Sequence, residues 1–250
     1  MSGHSKWATI KHKKAKTDAQ RGKMFTKFIR EISVAARMGG GDPAVNPRLR
    51  LAVERAREVN MPSDNIKRAI AKGTGGGEEV KLEEIVYEGY GPGGVAVMVE
   101  AMTDNKNRTL GDLNYIFTRN GGHLGKSGCV AWLFKKRGVI TFERGKVDEE
   151  KLTSEAIEAG AEDINFEESV IAVITKPEDM EKVRDQLKSK GFTLVSAEVT
   201  MFPQNTVRLV GEEAHKVLKL VSVLEEHDDV QTVHANFDIP DEIIAEEATS

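Results

Sequence analysis

Three patterns in the chain have residue types that could do chemistry, and each depends on what flanks it. Gly89-Tyr90-Gly91-Pro92-Gly93-Gly94 has the G-x-G-x-x-G spacing that lays backbone amides against a pyrophosphate. That chemistry needs a helix next, because helix N-terminal amides hold the anion. Val95-Ala96-Val97-Met98-Val99 follows instead and is strand material, so the segment reads as a hairpin turn. Gly121-Gly122-His123-Leu124-Gly125-Lys126-Ser127 approaches a phosphate-cradling loop, but Asn120 stands where the first glycine must be. It also follows a helical stretch and precedes a strand, the reverse of the required order. It reads as a glycine-rich loop carrying one cation.

The third pattern is the set of six histidines, His4, His12, His123, His215, His227 and His234, which shows no H-E-x-x-H pairing. His227-Asp228-Asp229 has ligand-type side chains, but a solvated loop between a helix and a strand is the reading preferred here. Cys129 is the single cysteine, so no internal disulfide and no cysteine-rich zinc cluster is available. Its apolar neighbours place it in a core. The carboxylates are scattered over helix faces. No catalytic residue, metal or cofactor is assigned, and no small-molecule substrate.

The charge distribution is more informative. Residues 1–75 hold 17 Lys and Arg against six acids, a net of +11, which leaves 19 bases and 34 acids in residues 76–250, a net of −15. A basic end meets polyanions, whereas an acidic body repels them. Mutual attraction of the two halves is the alternative. Much of the positive charge lies on an arm rather than a packing face, which favours the polyanion. Lys6, Lys11, His12, Lys13, Lys14 and Lys16 crowd that arm, and Trp7 offers either a ring to stack on an unpaired base or a pin to the body. Arg21, Lys23, Lys27 and Arg30 extend the cationic stripe along the next helix. Lys67, Arg68 and Lys72 suit phosphates better than base edges. These fourteen residues form the candidate nucleic-acid surface, with shape-dependent recognition.

The elements follow from periodicity. Thr17-Asp18-Ala19-Gln20 fits a capping box. Phe25, Phe28, Ile29, Ile32 and Ala36 then recur on one helical face, with Lys23, Lys27, Arg30 and Arg37 opposite, up to the stop at Gly39-Gly40-Gly41. Asn46 and Pro47 start a second helix, with Leu49, Ala52, Val53, Ala56 and Val59 inside. Ser63 caps a short third helix holding Ile66, Ala69 and Ile70. Strands are expected at Leu82–Tyr90, Val95–Thr103 and Cys129–Phe134, with a helix at Arg108–Asn120. From Gly138 to Met201 the order is β-α-β-β-α-β, the ferredoxin-like pattern. A helix (Glu212–Glu226) and a strand (Val230–Phe237) remain. The fold class expected is multidomain α and α+β. Residues 1–77 form a basic arm and three-helix bundle, and 78–134 plus 204–240 an α+β domain. Residues 135–203 form a ferredoxin-like domain inserted into it, and 241–250 a frayed tail. No apolar run approaches the ~18 residues of a membrane span, and Lys11–Lys16 leads into no signal-type apolar stretch, so a soluble, cytoplasmic protein is expected.

Gly3-His4-Ser5-Lys6-Trp7, Ile10-Lys11-His12-Lys13-Lys14, Arg21-Gly22-Lys23 and Met61-Pro62-Ser63-Asp64-Asn65-Ile66 resemble the opening of the YebC family. Tyr87-Glu88-Gly89-Tyr90-Gly91-Pro92, Thr103-Asp104-Asn105 with Asn107-Arg108-Thr109, and Gly121-Gly122 through Leu124-Gly125 continue the likeness. Thr9 departs from it, where asparagine is usual. The resemblance implies three domains, one of them inserted, and a DNA-binding transcriptional regulator. Its relatives also include a mitochondrial translational activator and members linked to ribosomes stalled on proline-rich stretches. The rival partners are therefore duplex DNA and ribosomal RNA, with the ribosome itself in the second case. By the same likeness Gly89–Gly94 and Gly121–Ser127 become contact loops. A reading of another class is a protein–protein adaptor that uses the acidic domains.

Overall fold

The computed structural model describes residues 18–75 and 82–249, with side chains over residues 22–75 and 82–246. Three helices come first: α1 (Asp18–Gly39), α2 (Pro47–Glu58) and α3 (Ser63–Gly73). Ile32, Leu49, Ala52, Val53, Ile66 and Ala69 form their shared core. Asn46 fixes the first turn between them. Its Oδ1 accepts from Leu49 N at 3.1 Å, the N-cap bond. Its Nδ2 donates to Ala35 O at 2.8 Å and Gly40 O at 2.9 Å, tying off the end of α1. A Cβ on Gly39 would lie 2.7 Å from that amide nitrogen, and Gly40 has φ +86°, so glycine is needed at both positions. Ser63 does not cap α3; Pro62 holds the cap position without a side-chain bond.

The next unit is a sheet of order β3-β1-β2-β9, built from β1 (Glu83–Tyr90), β2 (Ala96–Thr103), β3 (His123–Leu124) and β9 (Val230–Ala235). The β1–β2 hairpin turns through Pro92–Gly94 as expected, with Gly93 and Gly94 at positive φ. Strand β2 is buried on both faces. Val97 and Val99 meet Leu113 and Phe117 of α4 (Lys106–Arg119) and Leu218, Val221 and Leu224 of α7 (Gly211–Glu226). Ala96 and Met98 meet Val130, Leu133 and Phe134 on the other face.

The second sheet has the order β5-β6-β4-β7, from β4 (Phe134–Glu143), β5 (Asp163–Phe166), β6 (Val170–Thr175) and β7 (Ser196–Pro203). With α5 (Glu149–Ala159) and α6 (Met180–Ser189) it forms the ferredoxin-like arrangement. Ile140, Phe142, Leu152, Ile171, Val183 and Leu187 are its core. Phe134 at the start of β4 pairs with Pro203 at the end of β7, so the chain leaves and returns at one point. Past it, the parallel pair β8 (Val207–Arg208) and β10 (Phe237–Asp238) flanks α7 and β9. The architecture is multidomain α and α+β.

Two further expectations differ from the structure. Cys129–Phe134 is not a strand: a turn leads into a single 3-10 turn at Ala131–Leu133. Residues 241–249 are not frayed but form α8 (Asp241–Thr249), whose Ile244 is buried against the α7 core.

Candidate nucleic-acid interface

The predicted arm, with Lys6, Trp7, Lys11, His12, Lys13, Lys14 and Lys16, lies outside the described residues, as do Thr17 and the Arg21 side chain. The described cations separate into two groups.

The stripe on α1 faces protein. Lys23 Nζ stands 3.8 Å from Glu226 Oε2, and Lys27 Nζ donates to Glu225 O at 2.7 Å. Arg30 donates to Asp228 O at 2.5 Å, Met102 O at 3.2 Å and Asp229 Oδ1 at 2.8 Å. Arg37 donates to Leu82 O at 2.5 Å. Positions 23, 27 and 30 share one helical face; Lys23 and Lys27 meet the last turn of α7, where unpaired carbonyls carry the negative end of the helix dipole, and Arg30 meets the turn that follows it. Arg48 on α2 adds Glu31 Oε1 at 3.0 Å and also pairs with Glu84 of β1. Attraction between the halves thus engages Lys23, Lys27 and Arg30, whose partners lie about two hundred positions downstream, where periodicity gives no signal.

Asp229 is the centre of this junction. Its Oδ2 accepts from Arg108 Nη2 and Thr109 Oγ1, each at 2.8 Å, while Oδ1 takes Arg30. Burial alone would raise its pKa, but hydrogen bonds from Arg108, Thr109 and Arg30 outweigh it and hold the carboxyl at about 2. Asp229 is therefore not in a solvated loop, and His227 is occupied too: Nδ1 accepts from Asp229 N at 3.1 Å and Nε2 stands 3.3 Å from Asp112. No group of three or more metal-ligating side chains occurs among the described residues. The Thr103-Asp104-Asn105 and Asn107-Arg108-Thr109 segments acquire a physical reason. Asn105 caps α4, Thr103 Oγ1 receives Asn105 N at 2.9 Å, and Arg108 bridges Asp104 and Asp229.

The two glycine-rich segments pack on each other. Glu88, buried on β1, accepts from Gly128 N at 2.7 Å and from Val130 N and Ala131 N at 2.8 Å. Burial raises its pKa, and the three amides together overcome this and lower it. The amides surround the carboxylate, which is why the apolar run after Cys129 turns instead of extending. A Cβ on Gly89 would lie 2.5 Å from His123 O, and one on Gly122 2.5 Å from Tyr90 O. Burial, then the Glu88 charge, raise the Cys129 thiol pKa, the opposite of what a nucleophile needs.

The second group of cations points to solvent. Lys67, Arg68 and Lys72 lie on the outer face of α3, opposite buried Ile66 and Ala69, and Arg57 is exposed on α2. Among the described residues Arg68 bonds only within its own helix, to Asp64 O and Asn65 Oδ1. Arg57, Lys67 and Lys72 have no ion-pair partner among the described residues. Trp132, 67% exposed, was not singled out from sequence; its Nε1 donates to Cys129 O at 3.1 Å.

A sequence model of the TACO1/YebC protein N-terminal domain matches residues 5–76, and one of the TACO1/YebC second and third domain matches residues 82–237. The chain is 57% identical over 245 residues to a "Probable transcriptional regulatory protein" of Dictyoglomus turgidum, covering 98% of each chain. It is 59% identical over 239 residues to one so named from Trichlorobacter lovleyi, covering 96% of each. A crystal structure of a conserved hypothetical protein from Aquifex aeolicus superimposes with a TM-score of 0.80 at 52% identity, covering 90% of this chain and 93% of that one. No helix among the described residues is long and apolar enough to cross a membrane. The chain belongs to the TACO1/YebC family.

Proposed function

We propose that this protein is a non-enzymatic regulator of gene expression that binds nucleic acid through its basic N-terminal unit, residues 1–77. In this reading residues 78–134 with 204–240 form the supporting domain and 135–203 an insertion that projects from it. The observation that carries it is the partition of charge. Lys23, Lys27 and Arg30 of α1 are engaged in holding the unit to the acidic body, yet Arg57, Lys67, Arg68 and Lys72 face solvent, and the sequence ahead of α1 is rich in lysine. Lysines and arginines without protein partners bind phosphates and release counterions. Lys23, Lys27 and Arg30 then serve as docking residues, and the interface is the arm with the α3 cations. The names of the relatives support a role in regulating expression.

Duplex DNA and ribosomal RNA are the rival targets. The net of −15 on residues 76–250 favours a body that projects away from the polyanion, as on a ribonucleoprotein, over one that wraps DNA. Ultraviolet crosslinking in growing cells, with sequencing of the attached nucleic acid, tests the proposal. Recovery at defined ribosomal RNA positions makes the protein a translation factor of the cytoplasm. Enrichment of DNA upstream of genes makes it a transcriptional regulator. Recovery of neither removes the nucleic-acid reading.

A further inference from the structure

The ferredoxin-like sheet ends at β5, and no strand among the described residues pairs with its outer side. Beside that edge lies a shallow groove between α5 and β5. Ile157 on the helix is 63% exposed and Phe166 on the strand 38% exposed, with Ala161 and Ile164 between them. Its rim is acidic: Glu149 and Glu150 at one end, Glu162 and Asp163 at the other. Residues 143–168 carry ten acids and three bases. Arg144 engages Glu149 and Arg137 engages Glu162, which leaves the rim negative.

A charged edge strand guards a sheet against pairing with strangers. That purpose calls for the acids and leaves Ile157 and Phe166 unexplained, since exposed apolar side chains beside an open edge invite the pairing that the acids would prevent. The combination selects rather than blocks. A nucleic acid is repelled, and a second copy meeting the same groove is repelled by its own matching rim.

We propose that this groove docks an extended cationic segment of a partner protein. The segment adds to the β5 edge by main-chain hydrogen bonds, as in other strand-addition complexes. Side chains alternate along a strand, so apolar residues on one face reach Ile157 and Phe166 and lysines or arginines reach the acidic rim. None of these residues belongs to the basic N-terminal unit, so the proposal stands or falls apart from the nucleic-acid reading.

The test uses the full chain and a labelled synthetic peptide of about ten residues that alternates lysine and valine, with fluorescence anisotropy as readout. A lysine–serine peptide of equal charge and a glutamate–valine peptide serve as comparisons. The expected result is binding of the lysine–valine peptide, new amide protection confined to Asp163–Phe166, and at least about tenfold weaker binding by Ile157→Ser and by Asp163→Lys. Ile157 is exposed, so its variant keeps the wild-type melting temperature; Phe166→Ala gives a second check of the apolar contact. Equal binding of the lysine–serine peptide, protection elsewhere, wild-type affinity in Ile157→Ser, or no binding at all overturns the proposal.

Discussion

Arg30 and Asp229 are 199 positions apart in the chain and 2.8 Å apart in space, and through them the helical N-terminal unit is fastened to the sheet of the next domain. Arg30 also caps the carbonyls of Asp228 and Met102, so a single guanidinium gathers a helix, a turn and a strand. Removing the carboxylate leaves two guanidinium groups facing a buried neutral amide. Asp229→Asn is expected to lower stability by about 3 kcal/mol, read as a lower midpoint in thermal or urea unfolding.

The same carboxyl gives a pH signature. Its folded pKa, about 2, lies below the ordinary aspartate value, so the unfolded chain takes up its proton first as pH falls. The stabilisation is complete above roughly pH 5 and is lost progressively between there and about pH 1. Urea titrations at steps across that interval are expected to show a steeper loss in wild type than in Asp229→Asn. Parallel curves would separate Asp229 from acid unfolding.

Glu88 tests the loop. Glu88→Gln keeps the shape of the side chain but loses one acceptor oxygen and the charge that three amides converge upon. The expected cost is roughly 2 kcal/mol, with faster hydrogen exchange concentrated at residues 125–131 and little change in the bundle.

Three glycines separate crowding from flexibility. Gly89→Ala and Gly122→Ala each drive a methyl into a backbone oxygen 2.5 Å away, a loss of about 1–3 kcal/mol by overpacking. Gly111, inside α4, has open space around it, so Gly111→Ala is expected to raise stability by about 0.5–1 kcal/mol through helix propensity. Thermal melts of the three variants give the comparison.

Local chemistry was legible in advance and long-range pairing was not. Asn46-Pro47 announced α2, and Gly91-Pro92-Gly93-Gly94 announced the hairpin, because a cap and a turn are written in adjacent residues. The run Cys129–Phe134 has strand composition, yet it folds around Glu88, whose carboxylate binds the amides of Val130 and Ala131 from 42 and 43 positions earlier. Residues 241–249 looked like a tail because the site that receives Ile244 is the surface of α7, assembled only in three dimensions. Lys23, Lys27 and Arg30 read as a solvent-facing stripe since charge shows in a sequence and its partner does not. Asp229 was misplaced for the same reason: the arginines that hold it come from two other elements.

The proposed function rests on phosphate binding by the basic N-terminal unit. Its most direct test is the salt dependence of affinity for a structured RNA and a DNA duplex, measured on wild type and on Lys11→Glu/Lys13→Glu/Lys14→Glu and Lys67→Glu/Lys72→Glu chains. Wild-type binding is predicted to weaken linearly in log salt, and each variant to lose affinity together with about one unit of slope per phosphate contact removed. Unchanged affinity and slope in both variants would show that these lysines do not bind phosphates.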